Sequence, residues 1–559
     1  MNSTNNPLGR HQTRGRRGWI SQAIAPLFAT VFAIASGSVL PTSAAERLTL
    51  RLGPWSGTIA ISDLEEYAKT GKLSGQLEPL SPLFPPGLRE VLSQRVEIDP
   101  EMTDEVIDKL FESPEGNRLL RTLLLLVPES TIEEMKAAIA LVASKGNGLS
   151  FLGILKALPG ETITLDATSI IGVASRLNLS YLEGQILKTR LETALEVETD
   201  PFYPSFDPAA KGPQTVSAQT LTLEDTQRNR EIAVEIYSSP NSSGPLAVMS
   251  HGFASDRFFL EYLARHLASH GLTVVSVEHP GSNEAWLQQL PVTLDPTDLI
   301  EAEEFLHRPR DIRFVLDELE ALNRQPGTFY NQFNTAETVA IGHSLGGYGI
   351  LALAGAEVDL PHLREVCQKQ RKLGQSPADL LQCAAGKLEG NRVNLRDRRI
   401  KSAIALNPMV GDLFGPQGLE KVQTPVLLLS GSDDSWAPAI DHQLAPFRQL
   451  PEPKYLVSAI GGNHFSASDP DNPTLVETQT TLPEDPSDAE TQNLRQLVRG
   501  VSLAFIKQNT PEAKTYAPFL TAAYAQSLST EEIALRLNRE LPDRLARWIE
   551  SREEISQRD

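Results

Sequence analysis

The chain has 559 residues, 40% hydrophobic and 22% charged, with a formal net charge of −20. That length is too great for one core, so two or three domains of ordinary globular composition are expected. The acidic balance excludes nucleic-acid or anionic-membrane binding driven by bulk charge, and leaves a neutral lipid substrate open.

Residues 1–45 read as a secretory signal. Arg10, Arg14, Arg16 and Arg17 form its basic part, an apolar stretch runs from Trp19 to Leu40, and Pro41-Thr-Ser-Ala-Ala45 offers small residues for cleavage after Ala45. The expected location is periplasmic or extracellular; the alternative is a membrane anchor formed by an uncleaved N-terminal segment. Residues 46–195 read as a mostly helical N-terminal domain. Strand-like stretches at Glu46–Arg51 and Thr58–Ile61 precede a helix start at Ser62 or Asp63. Helical periodicity then covers Thr103–Glu112, Gly116–Leu126 and Thr131–Ser144. Few ionisable residues group there as a site, so this part reads as a packing or partner-binding module. The proline-rich residues 196–215 read as a linker.

Residues 216–508 read as the catalytic domain. Val216–Leu223 and Glu231–Tyr237 suggest an opening hairpin. Strand and helix then alternate: strand 246–250, helix 258–269, strand 273–277, helix 298–323, strand 337–341. This predicts an α/β fold, a largely parallel sheet with helices on both faces. Residues 357–399 interrupt the alternation with a polar, helix-prone insertion, read either as a cap over the site or as surface decoration. The two cysteines, Cys367 and Cys383, both lie in it. In an oxidising compartment such a close pair is expected to form a disulfide. No Cys/His cluster has metal-ligand spacing, so neither metal nor cofactor is expected. Residues 509–559 read as a helical C-terminal extension, with helices at Ala513–Leu528 and Thr530–Glu550.

The chemistry concentrates in Gly342-His343-Ser344-Leu345-Gly346, a G-x-S-x-G sequence between the strand Glu337–Ile341 and a small-residue helix. Such a turn lifts the serine clear of its neighbours, and Gly342 and Gly346 let backbone approach from both sides. Ser344 is therefore the candidate nucleophile, and the acid and base should follow it in chain order. After the strand Pro425–Ser430 comes Gly431-Ser-Asp-Asp434. Asp434, three residues past the glycine, is the expected acid, and Asp433 is the alternative. After the strand Tyr455–Ile460 comes Gly461-Gly-Asn-His464, and His464 is the expected base. Two backbone N–H groups would hold the oxyanion: Leu345, next to the nucleophile, and Phe253, in the His251-Gly252-Phe253 loop after strand 246–250. His251 reads as a loop brace. Phe253, Phe258, Phe259, Trp286, Trp436 and Phe465 are aromatic candidates for an acyl pocket or for plain core.

Ser250-His-Gly-Phe253, Leu267-Ala-Ser-His-Gly271, Val274-Val-Ser-Val-Glu-His279 and Arg308-Pro-Arg-Asp-Ile-Arg-Phe-Val-Leu-Asp317 resemble the plasma-type platelet-activating-factor acetylhydrolases and bacterial dienelactone-hydrolase-like proteins. The resemblance covers roughly residues 219–507 and implies the α/β-hydrolase fold. True dienelactone hydrolases use a cysteine where Ser344 stands here. In the acetylhydrolases the acid follows the strand matching Ala403–Asn407, which offers Asn407 and no aspartate. Residues 46–195 resemble an N-terminal domain of unknown function found ahead of such hydrolases.

The leading expectation is a serine carboxylic-ester hydrolase acting on short-acyl esters through a Ser344–Asp434–His464 triad and an acyl-enzyme. A phospholipase or lipase of the acetylhydrolase type is the runner-up, and acyl transfer is also open. The reading from a different class is a non-catalytic binding or scaffold protein on the same fold. The partner implied is a small-molecule or lipid ester, with peripheral membrane contact open and the oligomeric state unassigned.

Overall fold

The computed structural model describes residues 45–556, except 53–54, 76, 79–88, 90–91, 93–94, 97–119, 121–122, 125–126, 128, 144–148, 167–178, 198–201, 290–297, 370–374 and 473–487. The signal-like residues 1–44, the predicted helix Thr103–Glu112 and most of Gly116–Leu126 lie outside the described residues.

The first part of the chain builds its own small core. β1 (Arg47–Leu52) pairs antiparallel with β2 (Trp55–Ala60) and parallel with β5 (Thr162–Asp166). The helices α1 (Ile61–Thr70), α2 (Ile132–Ala143) and α3 (Phe151–Ala157) supply buried residues such as Leu64, Ile139 and Leu155, against Leu48 and Ile59. β3 (Arg95–Val96) and β4 (Leu149–Ser150) form a short antiparallel pair. α2 starts where the sequence has Thr131-Ile-Glu-Glu134. The Thr131 hydroxyl accepts from Glu134 N–H at 3.2 Å, and the Glu134 carboxylate accepts from Thr131 N–H at 2.9 Å. This reciprocal cap satisfies two amides that no helical carbonyl can reach. The described residues of this region are thus mixed α and β. β5 has no pattern long enough to stand out alone and becomes a strand by pairing with β1.

The next helix, α4 (Leu179–Ala194), belongs to a different core. Leu187, Leu191 and, just past its end, Leu195 recur at the four-residue spacing of one helical face. All three are buried among side chains of the large sheet's own core.

That sheet has nine strands in the order β6-β7-β9-β8-β10-β13-β14-β15-β16. They are β6 (Ser217–Asp225), β7 (Arg230–Ser238), β8 (Leu246–Ser250), β9 (Thr273–Val277), β10 (Thr338–His343), β13 (Ile400–Leu406), β14 (Val426–Gly431), β15 (Lys454–Ile460) and β16 (Ala534–Asn538). The six from β9 to β15 run parallel, and the edges are antiparallel: the β6–β7 hairpin on one side, β16 on the other. The central strands β8, β9, β10 and β14 are buried along their whole length, as parallel strands covered on both faces must be. Alternate residues feed opposite cores. Val248 and Ala340 face α6 (Glu304–Arg324) and α7 (Leu345–Ala354). Met249 and Ile341 face α5 (Glu261–Ser269) and α10 (Asp488–Lys507). The structure therefore has the predicted α/β-hydrolase layering.

The predicted helix Thr530–Glu550 is corrected. Residues 534–538 form β16, antiparallel to β15, and only Asp543–Ser556 is helical (α11). Leu535 and Leu537 alternate into the core, and Pro542 lacks the N–H and the room that a continuous helix through it would need.

Candidate active site

β10 ends at His343 and α7 begins at Leu345, so the whole turn is Ser344. Its backbone sits at φ 54, ψ −120, a conformation that costs a residue with a Cβ of order 1–3 kcal/mol. Backbone crowding explains the flanking glycines. A Cβ at Gly342 would lie 2.3 Å from the Gly346 carbonyl oxygen, and one at Gly346 would lie 2.2 Å from the Ser250 carbonyl oxygen. The surroundings hold the strain in place: Ser344 N–H donates to Leu406 O at 3.0 Å, and Ser344 O accepts from Met409 N–H at 3.0 Å. The hydroxyl has no hydrogen-bond partner among the described residues. Serine–imidazole contacts of this kind commonly close only when substrate arrives.

Asp434 and His464 come together from the loops after β14 and β15. Asp434 Oδ2 accepts from His464 Nδ1 at 2.7 Å, Gln443 Nε2 at 2.8 Å and Asn407 Nδ2 at 3.0 Å. Its Oδ1 accepts from the N–H groups of Trp436 and Ala437 at 3.0 and 2.8 Å. Burial alone would raise this carboxyl. The neighbouring His464 and the other converging donors outweigh it and hold the group below the usual carboxylate range. An ionised Asp434 is acceptor-only, so Nδ1 of His464 carries the hydrogen and Nε2 is left to take a proton. Asp433 accepts instead from the Ser432 hydroxyl at 2.5 Å. The geometry puts Asp434, rather than Asp433, on the imidazole.

His464 is positioned through its backbone as well. Its carbonyl oxygen lies 2.8 Å from Nε2 of His343, and the His343 ring stacks on Phe259 at 4.4 Å. Burial pulls His343 down to about 3, so it stays neutral and donates this bond. Trp436 stacks 6.2 Å from the His464 ring and Phe465 meets it edge-on at 5.2 Å. Two other aromatic candidates are engaged elsewhere. Phe258 lies under the Arg257 guanidinium, and Trp286 donates to Leu299 O.

The His251-Gly252-Phe253 loop lies against the serine. A Cβ at Gly252 would be 3.2 Å from Ser344 Cβ. Neither Phe253 N–H nor Leu345 N–H has an acceptor among the described residues. Leu345 opens a helix, and its amide is one of those the helix cannot satisfy. His251 is buried and braces the loop: Nδ1 lies 2.7 Å from Gly252 O, and Nε2 accepts from His279 N–H at 3.0 Å.

The insertion packs beside the acid loop. β11 (Glu357–Asp359) and β12 (Arg392–Asn394) pair antiparallel at its base, and α8 (Leu360–Lys369) and α9 (Pro377–Gln382) form its body. Ala378 N–H donates to Trp436 O at 3.0 Å, and Asp379 pairs with His442 at 2.9 Å. Cys367 and Cys383 are disulfide-bonded. Closing so short a loop is worth about 3 kcal/mol to the segment in the chain-entropy model. Reduction should therefore loosen α8 and α9, raising amide exchange there and changing KM more than the melting of the central sheet. Hydrogen exchange with and without reductant checks this, and uniform loss of protection across the sheet would contradict it.

Sequence reasoning did not assign roles to Gln443 or Asn407. Gln443 carries no motif. Asn407 did leave a signal, since the resemblance noted in the sequence implies an acid at its position; here it donates to Asp434 in the loop after the neighbouring strand. Among the described residues no group of three or more His, Cys, Asp or Glu could hold a metal ion, and no helix is long and apolar enough to cross a membrane.

Residues 247–476 match the sequence model of the group described as "Alpha/beta hydrolase family", and residues 44–166 match "Alpha/beta hydrolase of unknown function (DUF1400)". Neither match singles out the acetylhydrolases or the dienelactone hydrolases. No curated protein matches the chain. With its parallel sheet, its G-x-S-x-G turn between β10 and α7 and its family-model match, the segment 247–476 has the alpha/beta-hydrolase fold.

Proposed function

We propose that this hydrolase is an exported serine carboxylic-ester hydrolase. Ser344 attacks the ester carbonyl while His464 Nε2 takes its proton. Asp434 holds the imidazole in the required tautomer and stabilises the imidazolium, and the N–H groups of Phe253 and Leu345 receive the oxyanion. His464 then protonates the leaving alcohol, and water cleaves the acyl-enzyme by the reverse proton path. The observation that carries this reading is the strained Ser344 turn in the same site as an Asp434–His464 pair bonded at 2.7 Å. Export is supported by the disulfide, a crosslink that persists in oxidising compartments. The insertion is proposed as a cap bordering the site, because α9 touches Trp436 and Trp436 stacks on His464. These aromatics favour an ester with an apolar acyl group.

The test is labelling of the pure protein by a fluorophosphonate probe, with turnover of nitrophenyl esters of increasing acyl length beside a phospholipid panel. Labelling with fastest turnover of the shorter esters is expected. Preference for phospholipid would move the reading to the lipase side. Failure to label or turn over any ester would leave a non-catalytic protein on this fold.

A further inference from the structure

Arg308 is among the largest fully buried side chains of the molecule, and among the described residues no carboxylate forms an ion pair with it. It extends from the second turn of α6 beneath the loop that follows β8. Its Nη1 donates to the Ser282 hydroxyl at 2.8 Å, and its Nη2 donates to the His251 carbonyl oxygen. The nearby carboxylates are taken by other cations. Arg230 pairs with Glu304 at 2.6 Å and with Asp311 at 2.9 Å, and Arg228 pairs with Asp311 at 2.6 Å. Replacing buried ionic groups by apolar ones is often neutral or stabilising, so stability alone is a weak reason for a guanidinium here.

The geometry of the loop supplies a stronger one. In a trans peptide the C=O and N–H point to opposite sides. The carbonyl of His251 is held by Arg308, and the carbonyl of Gly252 by His251 Nδ1 at 2.7 Å. His251 can donate there because its Nε2 already accepts from His279 N–H. Burial pulls His251 down to about 3, so it is the neutral imidazole that makes both bonds. The adjacent Ala254 N–H donates to Ser282 O at 2.9 Å, which ties the far side of the loop to the residue that anchors the guanidinium. Both carbonyls of the turn against Ser344 are thereby committed to side-chain donors, and the Phe253 N–H, on the opposite side of its peptide from the Gly252 carbonyl, is left for a ligand oxygen.

We propose that Arg308 is a positioning residue for the oxyanion site: by gripping the His251 carbonyl it sets the peptides of His251-Gly252-Phe253 so that the Phe253 N–H serves the tetrahedral intermediate. This rests on the serine-hydrolase reading. Arg308 itself touches no reacting atom and acts through the loop. A lysine carries all its donors on one nitrogen, without the planar fork that reaches Ser282 and the carbonyl from two nitrogens at once, so it should hold the loop less rigidly.

The experiment compares the full chain with Arg308→Lys and Arg308→Met on a nitrophenyl ester that the parent turns over. Active sites are counted by fluorophosphonate titration, and the affinity of an alkylboronic acid, whose adduct with serine is tetrahedral, is measured beside that of the product acid. Losing an oxyanion donor outright costs about 10²–10³ in kcat, so a misplaced one should cost about 10- to 100-fold per titrated site. KM and product affinity should stay within about threefold, and boronate affinity should fall in step with kcat. A merely structural role would lower the melting temperature and the number of titratable sites and leave kcat per site intact; that result overturns the proposal. Should both variants fail to fold, Ser282→Ala removes the other anchor of the guanidinium, and kcat per site unchanged in it would also overturn the proposal. A parent protein that neither labels nor turns over ester defeats the hydrolase reading itself, a separate outcome.

Discussion

Ser344→Ala is expected to abolish ester turnover, with a loss on the order of 10⁶ in kcat, while the protein keeps its fold. The two halves of this expectation have separate physical grounds. Chemistry is lost because no other hydroxyl occupies the turn between β10 and α7. Stability is retained because alanine keeps the Cβ, and the hydroxyl makes no hydrogen bond among the described residues whose loss would cost anything. The change in stability should be small, because alanine carries the same Cβ and so the same backbone strain at this turn. Steady-state kinetics with a melting curve checks both. A variant that retained more than a small fraction of turnover would remove Ser344 from the role of nucleophile.

Asp434→Asn is expected to cost roughly 10³–10⁴ in kcat. The two backbone amides of Trp436 and Ala437 on Oδ1 require an acceptor there, so an asparagine at 434 would keep its oxygen in that place. Its NH₂ would then face His464 Nδ1, Asn407 Nδ2 and Gln443 Nε2, all of them donors in the present arrangement. His464 must respond by moving its hydrogen to Nε2, and an Nε2 that already carries a hydrogen cannot take one from Ser344. Asn407 and Gln443 each lose an acceptor for one N–H, Gln443 keeping its second bond to Ala437 O, a further destabilisation of about 1–3 kcal/mol each. Asp433→Asn leaves the imidazole's partner untouched and should be mild. Kinetics of the two variants side by side decides the matter, and the reverse ranking would transfer the acid's role to Asp433.

Much of the candidate site was legible in the sequence because its parts sit in loops punctuated by glycine after apolar runs. Gly342 and Gly346 mark a turn too crowded for a Cβ, and Gly431 and Gly461-Gly462 mark the ends of the strands that carry Asp434 and His464. A buried parallel strand is a continuous apolar stretch, so β8, β10, β14 and β15 announced themselves, and chain order placed Ser344, Asp434 and His464 in succession. The two cysteines, sixteen residues apart in one insertion, made their pairing readable too.

What depends on contacts between distant segments was not legible. β5 and β16 are short alternating runs whose strand character comes from partners far along the chain, 115 residues apart at Arg47–Thr162 and 78 at Ser458–Arg536, which no local pattern encodes. α4 reads as part of the first domain, yet its leucines complete the core of the second. The same limit applies to the polar groups. Asn407 and Gln443 reach Asp434 across 27 and 9 residues, and Arg308 reaches the His251 carbonyl across 57. Periodicity and turn chemistry specify elements because their physics lies within a few residues. Which buried donor meets which acceptor is decided only when the sheet brings the strand ends together and every polar group there must find a partner away from water.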